Sequence, residues 1–208
     1  MDNATDVIFQ IAILVMSVVI HEVSHGVAAY LQGDKTAQYA GRLTLNPIPH
    51  LDPFGSVILP FMLVLAGSPI LLGWAKPVPY NPYNLRNQKW GPALVGAAGP
   101  LANILVALFF GVVIRVGIMQ PYSIQLAAFI DIAQRIVFLN LVLAIFNLVP
   151  IPPLDGSKVL LSALPTHMWR VGQMLEMYGF ALLLIFIFFF SSIVGTASAF
   201  LFHLITGL

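Results

Sequence analysis

The chain has 208 residues, 59% of them hydrophobic and only 8% charged, with a mean hydropathy of +0.93 and a formal net charge of +1. So few charges cannot cover a water-facing surface, which excludes an ordinary soluble domain and leaves a chain whose solvent is lipid. Near-neutral charge gives no ground for a nucleic-acid partner, and the lack of cysteine excludes disulfides and thiolate-bound metals.

The first apolar run, about Val7 to Leu31, is long enough to cross a hydrocarbon core of about 30 Å. The stretch before it, MDNATDV, has no basic residue, and the run outlasts a signal-peptide core, so a retained helix is expected. Asp34 to Pro53 is polar and turn-rich, and alternation over Tyr39 to Leu45 predicts a short membrane-associated strand or β-hairpin. Phe54 to Leu72 is apolar but broken by Pro60 and by Gly67-Ser68-Pro69; Gly73 to Pro92 is a Pro/Asn-rich loop. Ala93 to Gly117 and Leu126 to Val149 read as spanning helices, the second with Asp131 and Arg135 near its start. PIPPLDGSK breaks the helix, Ser157 to Leu164 forms a short helical piece, and the apolar tail Met174 to Ile205 makes one long span or a hairpin around Ser191 to Gly195. FIFFF at 186–190 reads as lipid-facing, and Trp74, Trp90 and Trp169 as interfacial anchors. The expectation is one all-α polytopic membrane domain over 1–208.

The topology turns on Phe54 to Leu72. A re-entrant segment at about 54–72 puts Lys35, Arg42, Lys76, Arg86, Lys89, Lys158 and Arg170 on one side, and leaves Asp2, Asp6, Arg115, Asp131 and Arg135 on the other. That division satisfies the positive-inside rule, whereas a full span splits the basic residues between the faces. The re-entrant path is therefore preferred, with protein rather than lipid covering its backbone.

The chemistry sits in VVIHEVSHGVAAY, Val18 to Tyr30. His21 and His25 are four apart, hence on one helix face, and can bind one metal ion with Glu22 beside them as general base. HExxH alone is a loose pattern, and three groups hydrogen-bonded to neighbouring helices are the competing explanation. A carboxylate at mid-bilayer costs about 3 kcal/mol, which favours a functional role. A catalytic zinc site needs a third protein ligand. The candidates are Asp34, Asp52, Asp131, Asp155, Glu176 and His50. Asp155 is best placed, behind Pro150, Pro152 and Pro153 and before Gly156, although it could instead cap the helix starting at Ser157. Asp52 is the runner-up, against its role as a turn residue before Pro53. His167 and His203 read as packing or interfacial residues. His21 and Asp155 meet at one depth most easily if their helices run parallel, which needs one full span between them.

HEVSH at 21–25, AAGPLAN at 97–103 and NLVPIPPLDG at 147–156 together resemble the site-2 protease family of intramembrane zinc metalloproteases. LNPIPHLDPFG at 45–55 and GWAKPVPYNP at 73–82 are similar to its small branch that lacks a PDZ domain. The resemblance covers about 15 to 165. It implies a helical core around Zn2+, with His21, His25 and Asp155 as ligands, Glu22 as base and Asn147 at the substrate or the developing oxyanion. It also implies cleavage in or near a transmembrane segment of another protein, in a lipid bilayer that is a prokaryotic cell membrane, with the site open to the cytosol. Asn103 of GPLAN suits a polar tie between close helices. The piece 38–46 and loop 73–92 could clamp an unwound substrate by strand addition. The contrasting function is a metal-binding transporter or sensor without hydrolysis, separable by testing cleavage in Glu22→Gln; an inactive helix-binding scaffold ranks third. The residues leave the oligomeric state open.

Overall fold

The computed structural model describes residues 3–58, 62 and 75–208. Its helices are α1 (Asn3–Leu31), α2 (Thr36–Tyr39), α3 (Gly91–Ile118), α4 (Ile124–Leu148), α5 (Asp155–Ala163) and α6 (Trp169–Thr206). Among the described residues, α1, α3, α4 and α6 are long and apolar enough to cross a membrane. This is an all-α polytopic membrane protein.

α3 is the central element and packs against α1, α4, α5 and α6. Its buried face carries Gly96, Gly99, Asn103, Ala107 and Gly111, three or four residues apart. Small residues at that spacing let neighbouring backbones approach closely, which is how helices gain packing energy in lipid. Toward the C-terminal end of α3, Ala107 and Ile114 join Ala133, Val137 and Leu141 of α4 in a buried apolar cluster, closed by Phe202 and Ile205 of α6.

The tail is one helix rather than a hairpin. At 38 residues α6 is about 57 Å long, well beyond a hydrocarbon core of about 30 Å, so it must tilt or protrude. Phe188 and Phe189 of its FIFFF run are 76% and 75% exposed, as lipid-facing residues should be.

No strand occurs among the described residues, and the alternation over Tyr39 to Leu45 does not become one. Asp34 Oδ1 accepts from Thr36 N at 3.1 Å and starts the single helical turn of α2 instead. Gly41, at φ +64°, then reverses the chain, and Arg42 N closes onto Ala37 O at 2.9 Å.

Two sets of contacts fix the helix directions. At one end, Arg86 N donates to Gln32 O at 2.9 Å, so the C-terminus of α1 lies beside the segment entering α3. At the other, Arg115 donates to Ile205 O and Leu204 O at 2.7 and 2.6 Å, and Arg135 pairs with Asp6 and Asp131 at 3.3 and 3.0 Å. α1 and α4 therefore run parallel, with α3 and α6 opposed to them. Most of the 54–72 segment lies outside the described residues. Its flanks do not: Lys76 N donates to His50 O at 2.9 Å and Arg42 Nη2 to Lys76 O at 2.6 Å, so both sit at the same end of the bundle.

Candidate metal centre

His21 and His25 point from the same face of α1 toward α3 and α5, their rings 4.7 Å apart and nearly perpendicular. Asp155 opens α5 directly after the proline-rich break, and its Oδ2 lies 3.0 Å from His21 Nε2 and 3.1 Å from His25 Nε2. All three side chains are buried. Gly99 makes the convergence possible: a Cβ there would sit 2.6 Å from the Nε2 of either histidine. Gly96 does the same for α5, since a Cβ would come within 2.9 Å of Asp155 O and Lys158 Cβ.

The second ring nitrogens fix the tautomers. His25 Nδ1 lies 2.6 Å from Val95 O, which can only accept, so Nδ1 carries a hydrogen and the neutral ring presents its lone pair at Nε2. His21 Nδ1 lies 2.6 Å from Asn103 Oδ1. That oxygen assignment follows from an outer anchor. Asn140 Nδ2 donates to Ile136 O at 2.8 Å and to Ser17 Oγ at 2.9 Å, so Asn140 Oδ1 must accept, and it does so from Asn103 Nδ2 at 2.7 Å. Asn103 Oδ1 is left facing His21, whose Nδ1 is thereby the donor.

With both imidazoles neutral, two Nε2 lone pairs and a carboxylate oxygen converge, an arrangement that repels itself unless a cation sits inside. Ligand atoms of a tetrahedral zinc with bonds of about 2.1 Å lie about 3.4 Å apart, close to the spacing found. The donor set fits a divalent zinc ion. Asp155 Oδ1 points away from this centre and accepts from Lys158 Nζ at 2.9 Å, and Lys158 also lies over the Tyr80 ring at 5.7 Å.

Glu22 is beside the centre, its ligand atom within 4.8 Å of those of His21 and His25. Its Oε2 accepts from the backbone N–H of Val78 at 2.8 Å, a contact that crosses 56 residues of chain and has no signature in the sequence.

The other candidates are placed elsewhere. Asp34 is bonded to Thr36, Asn81 and Asn84. Asp52 Oδ1 accepts from Phe54 N and Gly55 N at 3.1 and 2.6 Å, which is the behaviour of a turn residue. Buried His50 bonds Thr44 O and faces Arg42. Asp131 pairs with Arg135, Glu176 and His167 are exposed, and His203 contacts Leu208 O. Asn147 is not drawn to the metal centre by any hydrogen bond; its Nδ2 donates to Leu143 O of its own helix at 2.9 Å. Sequence reasoning missed Asn140 and Ser17. The signal available was a polar side chain inside an apolar span, FLNLV, which in lipid demands a partner.

Comparison with known proteins adds five observations. Residues 115–189 match Peptidase family M50. YwhC of Bacillus subtilis (strain 168), named as a candidate zinc metalloprotease, is 38% identical over 177 residues, covering 83% of this chain and 76% of that protein. Rip2 of Mycolicibacterium smegmatis (strain ATCC 700084 / mc(2)155), named in the same way, is 28% identical over 179 residues, and the chain spans 66% of its length. Rip2 of Mycobacterium tuberculosis (strain ATCC 25618 / H37Rv) is 30% identical over 145 residues, with 53% of its length spanned. No solved structure matches the chain.

Proposed function

The chain belongs to peptidase family M50, a zinc-dependent family of metalloproteases, and from that premise we propose that it hydrolyses peptide bonds within or near transmembrane segments of other membrane proteins. The observation that carries the proposal is the convergence of His21, His25 and Asp155 beside Glu22, among spanning helices. His25 and His21 lie six and ten residues before the end of α1, so the centre is about 9 to 15 Å below that end. A soluble peptide has no reason to meet a site at that depth; a membrane-embedded one does.

His21, His25 and Asp155 would hold the zinc. When bound, zinc supplies Lewis acidity toward the scissile carbonyl and lowers the pKa of water toward neutrality. Glu22 takes the proton of the attacking water and delivers it to the leaving amine as the C–N bond breaks. Asn103 and Val95 hold the imidazoles in the tautomer that leaves Nε2 open. Asn147 Nδ2 spends one of its two hydrogens on Leu143 O, and the other could serve the developing oxyanion. The basic end of the bundle faces the cytosol in this proposal, by the positive-inside rule, and water reaches the centre from there. The family tells against the transporter or sensor alternative.

Wild type and Glu22→Gln are to be reconstituted with a transmembrane test substrate and the fragments mapped by mass spectrometry. Glu22→Gln should lose at least about a thousandfold in turnover and keep its zinc. Cleavage that persists in Glu22→Gln, or cuts confined to soluble unfolded chains, would sink the proposal.

A further inference from the structure

The segment from Lys76 to Asn81, KPVPYN, reads as a loop by composition, yet the fold ties it down at both ends and in the middle. Each residue before a proline is pushed out of the helical region, so Lys76, Val78 and Asn81 are extended by the chemistry of Pro77, Pro79 and Pro82. Lys76 is held through both backbone groups, its N–H on His50 O at 2.9 Å and its carbonyl on Arg42 at 2.6 Å. Asn81 N donates to Asp34 Oδ2 at 2.7 Å. Between these anchors Val78, 6% exposed, lies on α1 at Gly26, where an added Cβ would come within 2.9 Å of Val78 Cγ1.

Pro77 and Pro79 have no N–H, so Val78 carries the one backbone donor over 77–79. That donor is spent on Glu22 Oε2 at 2.8 Å. We propose that the 76–81 segment is a fixed strap that positions the general base, its Val78 N–H holding one oxygen of Glu22 so that the other faces the attacking water. The inference rests on the proposed role of Glu22 and assigns Val78 a positioning function in it. A backbone donor is well suited to hold a carboxylate still. Locked between two prolines and anchored on both sides, it has little freedom to lose, whereas a side-chain donor would need its rotamer frozen. The prolines also shape the strap's other edge, which offers carbonyls but no N–H at 77 and 79. A substrate strand can donate to that edge but cannot accept from it, so ladder pairing there is crippled, and strand addition by this part of the loop is weakened as a clamp.

Two measurements test the strap. Hydrogen exchange of the protein in detergent or nanodiscs isolates the Val78 amide, because its neighbours have none. Exchange should be slow in wild type and in Glu22→Gln, which keeps an acceptor, and at least about tenfold faster in Glu22→Ala. Equal exchange in wild type and Glu22→Ala overturns the contact, whether or not the protein cleaves anything. The second measurement replaces Val78 by its α-hydroxy acid, which turns the N–H into an ester oxygen and leaves the side chain in place. A positioning donor predicts a loss of about ten- to a hundredfold in kcat with KM and zinc content unchanged, and Val78→Ala, which keeps the N–H, should lie well above the ester. A raised KM with unchanged kcat would make Val78 a substrate contact, and a raised kcat would make it a brake; either overturns the proposal. A wild type that cleaves no better than Glu22→Gln would fail the peptidase reading instead, with the exchange result standing separately.

Discussion

Asp34 has no exposed surface, yet its two oxygens are met by four donors. Oδ1 accepts from Thr36 N at 3.1 Å, Thr36 Oγ1 at 2.5 Å and Asn84 Nδ2 at 3.0 Å, and Oδ2 accepts from Asn81 N at 2.7 Å. Burial alone would raise its pKa; the bonds from Thr36, Asn84 and Asn81 outweigh it and hold the carboxyl below the usual range. A group whose native pKa is lowered stabilises the fold above its unfolded pKa of about 3.9, and that contribution is lost as the pH falls through the native value. Asp34→Asn turns one acceptor into a donor facing donors and should cost about 2 kcal/mol at pH 7. Thermal unfolding in detergent should show this deficit at neutral pH and show it closing in acid, below the range where wild-type Asp34 loses its charge. A deficit that stays constant into strong acid would mean the charge is not what matters. The residue also shows where sequence runs out. Asp34 is a reasonable third-ligand candidate by type, but its partners lie as far as 50 residues away, and only the folded chain shows that its oxygens are already taken.

At the scale of elements, His21 of the candidate metal centre is set by a polar chain that runs through three helices. Ile136 O on α4 fixes Asn140, Asn140 fixes Asn103 on α3, and Asn103 fixes His21 on α1. Asn103 and Asn140 are both 0% exposed, so neither can trade a protein partner for bulk water. Asn140→Leu removes the acceptor that sets the Asn103 amide, leaving Asn103 Nδ2 with Ser17 O at 3.3 Å. Zinc affinity, read by competition with a chelator, should fall about ten- to a hundredfold. Asn147→Ala, whose lost bond is to Leu143 within α4, should leave that affinity at the wild-type value. Equal losses in the two variants would reduce the chain to generic helix packing. The convergence of the side chains was legible: the HEVSH spacing matches the helical period, and prolines force the chain out of helix just before LDG. The tie at Asn103 was legible as polar packing, but its direction was not: which atom faces His21 is decided by a carbonyl 33 residues further along. The strand expected at Tyr39 to Leu45 failed for a related reason. Period-2 alternation there competes with the bond from Thr36 N to the Asp34 side chain and with a left-handed glycine, and the local bonds win.

For the molecule as a whole, the two sides of the membrane decide whether the centre can form. Parallel α1 and α4 let Asp155, just past the end of α4, reach back to His21 and His25 in the C-terminal half of α1. That arrangement survives only if the chain between α1 and α3 begins and ends on one side, and the described flanks do so: Gln32 meets Arg86, and His50 meets Lys76. The same end gathers Lys35, Arg42, Lys76, Arg86, Lys89, Lys158 and Arg170, leaving Arg115 and Arg135 at the other. Charge distribution and metal geometry are independent constraints, and both are met by the same topology, with the chain between α1 and α3 beginning and ending on one side. The chain has no cysteine of its own, so single introduced thiols report cleanly. Ala40 and Gln88 are exposed at the basic end, and Tyr122, 83% exposed, lies in the α3–α4 turn at the opposite end. In sealed inside-out vesicles a membrane-impermeant maleimide should label Ala40→Cys and Gln88→Cys, and should reach Tyr122→Cys only after the vesicles are opened. Right-side-out vesicles should reverse the pattern. If positions 40 and 88 label from opposite sides, the segment between them crosses the membrane, α1 and α4 cannot be parallel, and Asp155 cannot share a metal with His21 and His25.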